Sequence, residues 1–530
     1  MADAMPEPDD AAAVSPSPVA LPGPGLRSDD QEPAPAETVT ATAEAGGASK
    51  ATATLALVAV AGLLVSLTQS LLVPVLPQLA IDLHASATAT EWLLTSTLLV
   101  GAVAVPVFGR LGDLYGKRRM LLVTLVTFVA GSLICAFTSD IGVMIAGRAV
   151  VGLSVAAIPV GISLVGTVLP PKRAGNGIAL ISATLGIGGA LGLPLAGLIA
   201  QHADYHVLFW ICVGGGVIAL VGTLAVVPEP PVAGHGRFDL PGTALLAVAL
   251  TALLLPLSEA SVWGWGDPRT VGLLAAAVVL LVAFVLIERR LASPVVDMTV
   301  NARPALLLTN IASLCVGFAL FATLIGTSNF VETPAAAGYG FGADILVGGL
   351  CLLPSGLCML ALSPVSARIS ARFGPKIALG LGAAIVGAGF ILRIFLVAHL
   401  WEVIVGTSIA GAGTGIAYAA MPSLILRSAP RGELAAANGL NSLARAVGSS
   451  LASAVGGTIL TSQVIMLGGL ALPSLSAYRT LFAICAAAAI AGAVIALVIP
   501  GSPPVSAAAA ADTGGVRTEG ALKAATRLIK

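Results

Sequence analysis

Fourteen apolar runs divide the chain, each long enough to cross a bilayer, and they leave few folds open. They fall at about 54–78, 90–108, 119–138, 142–168, 177–200, 206–227, 240–258, 270–287, 304–331, 345–364, 377–398, 402–426, 434–462 and 479–499. A helix needs about 20 apolar residues to span the hydrocarbon. Lipid offers the backbone no hydrogen-bond partner, so runs of this length must be helices. The expected class is an all-α membrane protein. Composition agrees: the 530 residues are 57% hydrophobic and 10% charged, where soluble domains carry about 25% charge. A net charge of zero points away from a nucleic-acid partner. The six cysteines (Cys135, Cys212, Cys315, Cys351, Cys358, Cys485) all lie inside apolar runs and form no C-x-x-C pair. They read as small packing residues, so no metal, cofactor or disulfide is expected.

Lysine and arginine placement orients these spans, because basic loops stay in the cytoplasm. An even span count puts both termini on one side. Arg110, Lys117, Arg118, Arg119, Lys172, Arg173, Arg237, Arg289, Arg290, Arg303, Arg368, Arg372, Lys376, Arg427 and Arg431 then share that side. With six more in the tails, 21 of the 26 basic residues are cytoplasmic. Only Arg269 and Arg479 fall near outer ends, and Arg148, Arg393 and Arg445 lie within spans. Residues 1–50, with nine acids and two bases, cannot bury enough surface to fold and read as a disordered cytoplasmic tail. Residues 501–530 read as a second, basic tail.

The densest charge lies in Gly109-Arg-Leu-Gly-Asp-Leu-Tyr-Gly-Lys-Arg-Arg-Met120, between the second and third spans. A loop that only fixed topology would need neither Asp113 nor two glycines at fixed offsets. The stretch resembles the second-to-third-span loop of the major facilitator superfamily of transporters, G-x-L-a-D-r-x-G-r-k-r. Gly109, Leu111, Asp113, Gly116, Lys117, Arg118 and Arg119 match, and Leu114 stands where arginine is usual. The resemblance implies a gating motif, in which Asp113 satisfies free N–H groups at the start of span thirteen, near Leu434.

A shift of 258 residues lays Pro364 on Pro106, Arg368 on Arg110, Gly374 on Gly116 and Lys376 on Arg118. Parallel repeats of this kind are the plan of that superfamily. The expected domains are a six-helix bundle over 51–227, two extra helices with linkers over 228–300, and a second six-helix bundle over 301–500. This 6+2+6 order resembles the fourteen-span drug:proton antiporters.

Several residues within the spans are candidates for a coupling and substrate path. Arg148, in Gly147-Arg-Ala-Val-Val-Gly152, resembles the R-x-x-Q-G motif implicated in proton coupling, with Val151 in place of glutamine. Two readings stand for it: a functional intramembrane cation, or an arginine extending to the outer surface. Span one, Thr68-Gln-Ser-Leu-Leu-Val-Pro-Val-Leu-Pro77, has Thr68 where the antiporters carry an acid, and Gln69 can only hydrogen-bond a substrate. Of the acids near outer ends (Asp82, Glu91, Glu259, Glu332, Asp344, Glu402), Glu332 before Pro334 is either a vestibule carboxylate that takes a proton or a solvated loop acid. Arg445 lies deeper, toward the central cavity or the cytoplasmic gate, and Arg393 is expected to reach outward. Span five carries Gly188, Gly192, Pro194 and Gly197, with small residues at 184, 188, 192, 196 and 200 on one ridge. The stretch resembles the antiporter motif G-x-x-x-G-P-x-x-G-G imperfectly, and either close packing or an antiport role fits it.

The expectation is a monomeric, multi-pass exporter of small amphipathic compounds in the cell membrane, exchanging them for protons. No G-x-x-x-x-G-K-[ST] occurs, so no ATP-driven pump is expected. An importer or facilitator is the alternative that the missing span-one acid keeps open. A membrane enzyme or sensor is the other class. An enzyme would show His, Asp or Cys constellations at membrane depth and a sensor a folded soluble domain, and the sequence has neither.

Overall fold

The computed structural model describes residues 35–500 apart from 233, 235 and 292, with backbone alone for 35–49. The rest of the two expected tails lies outside the described residues. The described residues 35–49 and 50–500 fall in separate units. Helix begins at Pro35, so the described part of the first tail is helical where its composition reads as coil. Its alanine content favours helix locally.

Among the described residues, fourteen helices are long and apolar enough to span: α1 (Lys50–Val75), α2 (Ala89–Tyr115), α3 (Lys117–Phe137), α4 (Ile141–Val168), α5 (Arg173–Ile199), α6 (His206–Val226), α7 (Leu240–Trp263), α8 (Pro268–Glu288), α9 (Pro304–Glu332), α10 (Ile345–Phe373), α11 (Pro375–Phe395), α12 (Leu400–Ser428), α13 (Arg431–Ser462) and α14 (Leu475–Val498). Short loops join them, and side-chain caps set several starts. Asp140 accepts the N–H of Val143 at 2.9 Å, Asp344 that of Val347 at 2.8 Å, and Ser474 that of Ala477 at 3.2 Å. Each cap satisfies a backbone donor that the first helical turn leaves free. The tightest turns need glycine: Gly116 at φ 115° joins α2 to α3, and Gly374 at φ 92° joins α10 to α11.

Three features are not visible in the list of spans, the first a 3₁₀ turn at Val73–Val75 in the first span. α4 is broken at Ser154–Ala156 by a 3₁₀ turn, where the Ser154 hydroxyl bonds back to the carbonyl of Val151 at 2.6 Å. A side chain that competes for backbone acceptors bends a helix in this way. Between α13 and α14 a hairpin pairs β1 (Val464–Leu467) with β2 (Leu470–Pro473). Its turn is Gly468-Gly469, both at positive φ, the glycine pair that a two-residue hairpin favours.

One hydrophobic core lies almost wholly within residues 51–227, and two more lie mainly within 305–499. Small residues join the two regions. α2 crosses α13 so closely that a methyl on Gly109 would come within 2.6 Å of the carbonyl oxygen of Ala435, and one on Gly439 within 2.7 Å of that of Val105. α5 fits between α1 and α10. Gly188 and Gly192 press on the carbonyls of Leu63 and Leu67 in α1, while Pro194 touches Gly349 and Gly197 touches Leu346 in α10. In lipid, where apolar burial drives little, this backbone proximity supplies the contact energy.

The pair α7 and α8 stands beside this assembly. α7 shares a core with Leu99 and Ala102 of α2 and with Leu443 of α13, through Leu246, Leu250 and Leu254. Only 17% of the apolar stretch of α8 is buried, so α8 lies at the periphery.

Candidate functional site

The loop between α2 and α3 is a fitted joint. Asp113 ends the buried part of α2 at 2% exposure. Its carboxylate accepts the N–H of Ala435 at 2.9 and 3.2 Å and that of Ala436 at 2.9 Å. Those amides open α13, where free N–H groups and the helix dipole favour an anion. Bonds to a charged acceptor contribute about 1.5–3 kcal/mol each. Lys117, one turn on, sits 3.7 Å from the same carboxylate.

A second acid, which the sequence reading did not single out, holds the other side of the loop. Glu229 accepts the N–H groups of Arg118 and Arg119, each at 3.1 Å, and so caps α3. Its oxygens crowd Gly116, where no larger residue fits. The guanidinium of Arg118 donates to the carbonyl of Leu224 at 2.8 Å. The linker to α7 then passes beneath the motif, and Gly234 donates to the carbonyl of Asp113 at 3.1 Å. Beyond α8, Asp297 accepts from the Thr299 N–H and hydroxyl at 2.7 and 2.6 Å and from the Val300 N–H at 3.1 Å. Burial works against its ionised form, but these donors outweigh it and hold the carboxyl below the usual carboxylate range.

The intramembrane arginines are all buried. Arg148, 1% exposed, donates to the carbonyls of Leu93 and Thr68 at 3.2 and 3.5 Å. One of its terminal nitrogens has no partner. It therefore does not extend to the outer surface. Glu332 lies elsewhere, half-buried at the end of α9, taking a hydrogen bond from Ser328 and facing Gly348 of α10. The side-chain hydrogen bonds of Arg148 go to carbonyls of α2 and α1, not to Glu332.

Arg393 also fails to reach outward. It is 1% exposed and lies 4.0 Å from the centroid of the Phe482 ring, so an aromatic face stands in for solvent. Arg445 joins a polar network between α13, α9 and α12. It donates to Asn441 at 2.5 Å and Ser442 at 2.8 Å, and lies 5.0 Å from the ring of Tyr418. Asn441 in turn donates to Asn310 at 3.1 Å and Ser313 at 2.6 Å. The sequence reading named Arg445 without this network, because its members lie on three separate spans. Gln69 is half-buried on α1. An apolar groove of about 470 Å³ opens between α2 and α7, lined by Trp92, Leu99, Val103, Phe108, Thr243 and Thr251 among others.

Comparison with known proteins places this arrangement. The model of the Major Facilitator Superfamily matches residues 58–353 and 314–528. The chain is 29% identical over 416 residues to the tetracenomycin C resistance and export protein of Streptomyces glaucescens, covering 77% of this chain and 75% of that one. It is 29% identical over 406 residues to the multidrug resistance protein Stp of Mycobacterium tuberculosis, covering 76% and 74%. The human organic anion transporter MFSD10 (TETRAN) has a similar fold, with a TM-score of 0.61 at 14% identity, covering 84% of this chain and 99% of that one. With fourteen apolar helices among the described residues and a family model spanning nearly all of them, the chain belongs to the Major Facilitator Superfamily and is a membrane transporter, not an enzyme.

Proposed function

We propose that this chain is a secondary exporter of small amphipathic drugs or natural products, driven by protons. The observation that carries the reading is the Asp113 carboxylate on the opening amides of α13. It ties two parts of the molecule at one end of the membrane through a few charged hydrogen bonds. Such a latch can open and close, as alternating access requires. The relatives named for resistance and export support the outward direction and the substrate class. The groove between α2 and α7 is apolar and within the range that takes a drug-sized molecule.

In this reading the helices are ordered 6+2+6, with α7 and α8 between two six-helix bundles. Both termini and the latch face the cytoplasm, and one chain works alone. Arg148 and the Arg445 network hold fixed charge beside the substrate path, and Glu332 takes protons from the outside. The measurement that tests the function is substrate export from proteoliposomes under an imposed pH gradient, after a susceptibility panel in a pump-deleted host has found a substrate. Export that follows the gradient supports exchange for protons. Flux of the same substrate with no response to the gradient supports the second reading, a facilitator, which the absence of an acid at Thr68 favours.

A further inference from the structure

At the latch end of α7 and α8, two acids face one glycine. Asp239 caps α7, and its Oδ1 accepts the N–H of Gly242 at 3.1 Å. Glu288 ends α8, and its Oε2 accepts the N–H of Val296 at 3.4 Å. Each carboxylate has a second oxygen, Asp239 Oδ2 and Glu288 Oε1, that is buried and has no hydrogen-bond partner. Both of these oxygens lie against Gly242, so closely that a methyl group there would overlap them both. Glu288 is 1% exposed, so bulk solvent does not reach it.

Two buried carboxylate oxygens facing one glycine, both without a donor, are costly to keep if both groups are ionised. One hydrogen resolves both faults. Held on Glu288 Oε1 and turned toward Asp239 Oδ2 across Gly242, it leaves the pair with a single negative charge. We infer that Asp239 and Glu288 share one proton against Gly242, forming a proton-binding site at the inner end of the two extra helices.

The charges around the pair connect this site to the latch. Arg110 of α2, next to Gly109 in the motif, is 7% exposed, and its Nε has no partner. Its charge acts on Glu288 and on Glu433 at the start of α13, and more weakly than that of Lys117 on Asp113. Asp297, beside Glu433, is the other acid on this face, and Lys117 is paired with Asp113. Loss of the shared proton gives the pair a second negative charge. That charge offsets part of the positive potential that Arg110 sets up at Glu433 and Asp113. Release of the proton thus weakens the field that holds the latch. This role in transport rests on the proton-driven reading above, but the existence of the site does not.

The test uses the full chain in proteoliposomes. Infrared difference spectra between acid and alkaline buffer should show the C=O stretch of a protonated carboxylic acid in the wild type. Both Glu288→Gln and Asp239→Asn should remove it, because one proton serves both residues. Gly242→Ala keeps both acids but forces them apart, and should move the midpoint of the band by about one pH unit or more, a tenfold change in proton affinity. It also serves if either charge variant fails to fold. A band at full strength in both charge variants, or a midpoint unmoved in Gly242→Ala, overturns the shared proton. The second measurement is the pH profile of gradient-driven export, which should shift in the same direction as the band. A shifted band with an unshifted profile overturns the link to the latch. A wild type that ignores the gradient defeats the proton-driven reading, and the infrared band still decides the site.

Discussion

Arg148 donates to the backbone carbonyl of Thr68 at 3.5 Å, so the buried arginine touches the very residue that stands in place of the usual span-one acid. Thr68 itself is 2% exposed, and its hydroxyl lies 2.8 Å from the carbonyl of Leu64 and 3.3 Å from Cys212 Sγ. The arginine of one motif and the departure from the other therefore meet at one place. A guanidinium rests there on carbonyl dipoles, where a carboxylate would pair with it.

A substitution at this place tests what the arginine is for. Thr68→Asp should be tolerated with Arg148 present, because the new carboxylate finds a buried cation. The same change in an Arg148→Ala background should lose about 3–5 kcal/mol, the usual cost of a buried charge left alone. Arg148→Lys keeps the charge but not the planar fork, and should reduce transport several-fold. Thermal unfolding in detergent and export in cells check the three variants. Equal stability of Thr68→Asp in both backgrounds would remove the proposed pairing.

The latch makes its own prediction. Asp113→Asn keeps the shape of the side chain but loses its charge, and should lower transport about tenfold while expression stays near wild type. Cysteine accessibility near Ala435 should rise, as the α2 and α13 ends part more often. Gly109→Leu should give a similar loss by another route, since no side chain fits beside the Ala435 carbonyl. Normal transport with unchanged accessibility in both variants would refute the latch.

Topology can be checked directly. Single cysteines at Ala43 and Ala510, in a background lacking the native six, should resist impermeant thiol reagents in whole cells. Labelling of either from outside would reverse the orientation.

Glu332→Gln removes a proton acceptor at the outer end of α9. Gradient-driven export should fall by a larger factor than substrate exchange, measured in the same vesicles. If export against the gradient proceeds at the wild-type rate, the outer carboxylate has no part in coupling.

Asp297 gives a pH prediction. Its folded carboxyl titrates below the usual range, so ionisation in the folded state adds stability above the unfolded value, and that stability is lost as pH falls through the folded one. Asp297→Asn should lower the melting temperature at neutral pH, and the gap to wild type should close in acid. A gap that widens in acid would contradict this assignment of donors.

The spans, the latch and the tight turns were legible because each leaves a local mark. Lipid demands about twenty apolar residues in a row, and a turn at positive φ demands glycine, as at Gly116 and Gly374. Asp113 was legible through its motif, since the resemblance implied donors for it at the start of span thirteen. The surroundings of the arginines were not legible. Counting turns to the membrane edge says how far Arg393 could reach but not which way it faces, and it faces Phe482. Glu229, Arg110, Asp239 and Glu288 were missed for a third reason. Their partners come from distant parts of the chain, and charged residues at span ends look alike until folding brings them together. The β1–β2 hairpin had a signal, the Gly468-Gly469 pair within an apolar stretch, which the span pattern masked.

α7 rests on α2 and α13 at once, through Leu246, Leu250 and Leu254. Any parting of α2 from α13 must peel α7 away from one of them. The surface laid bare would meet acyl chains rather than water, and acyl chains wet leucine almost as well as protein does. The seam can therefore open cheaply, and lipid flows into the gap as the helices separate. The bilayer then acts as a working component of the transporter, with its fluidity and thickness setting the tempo of the cycle. The same protein should run at different speeds in membranes of different acyl composition.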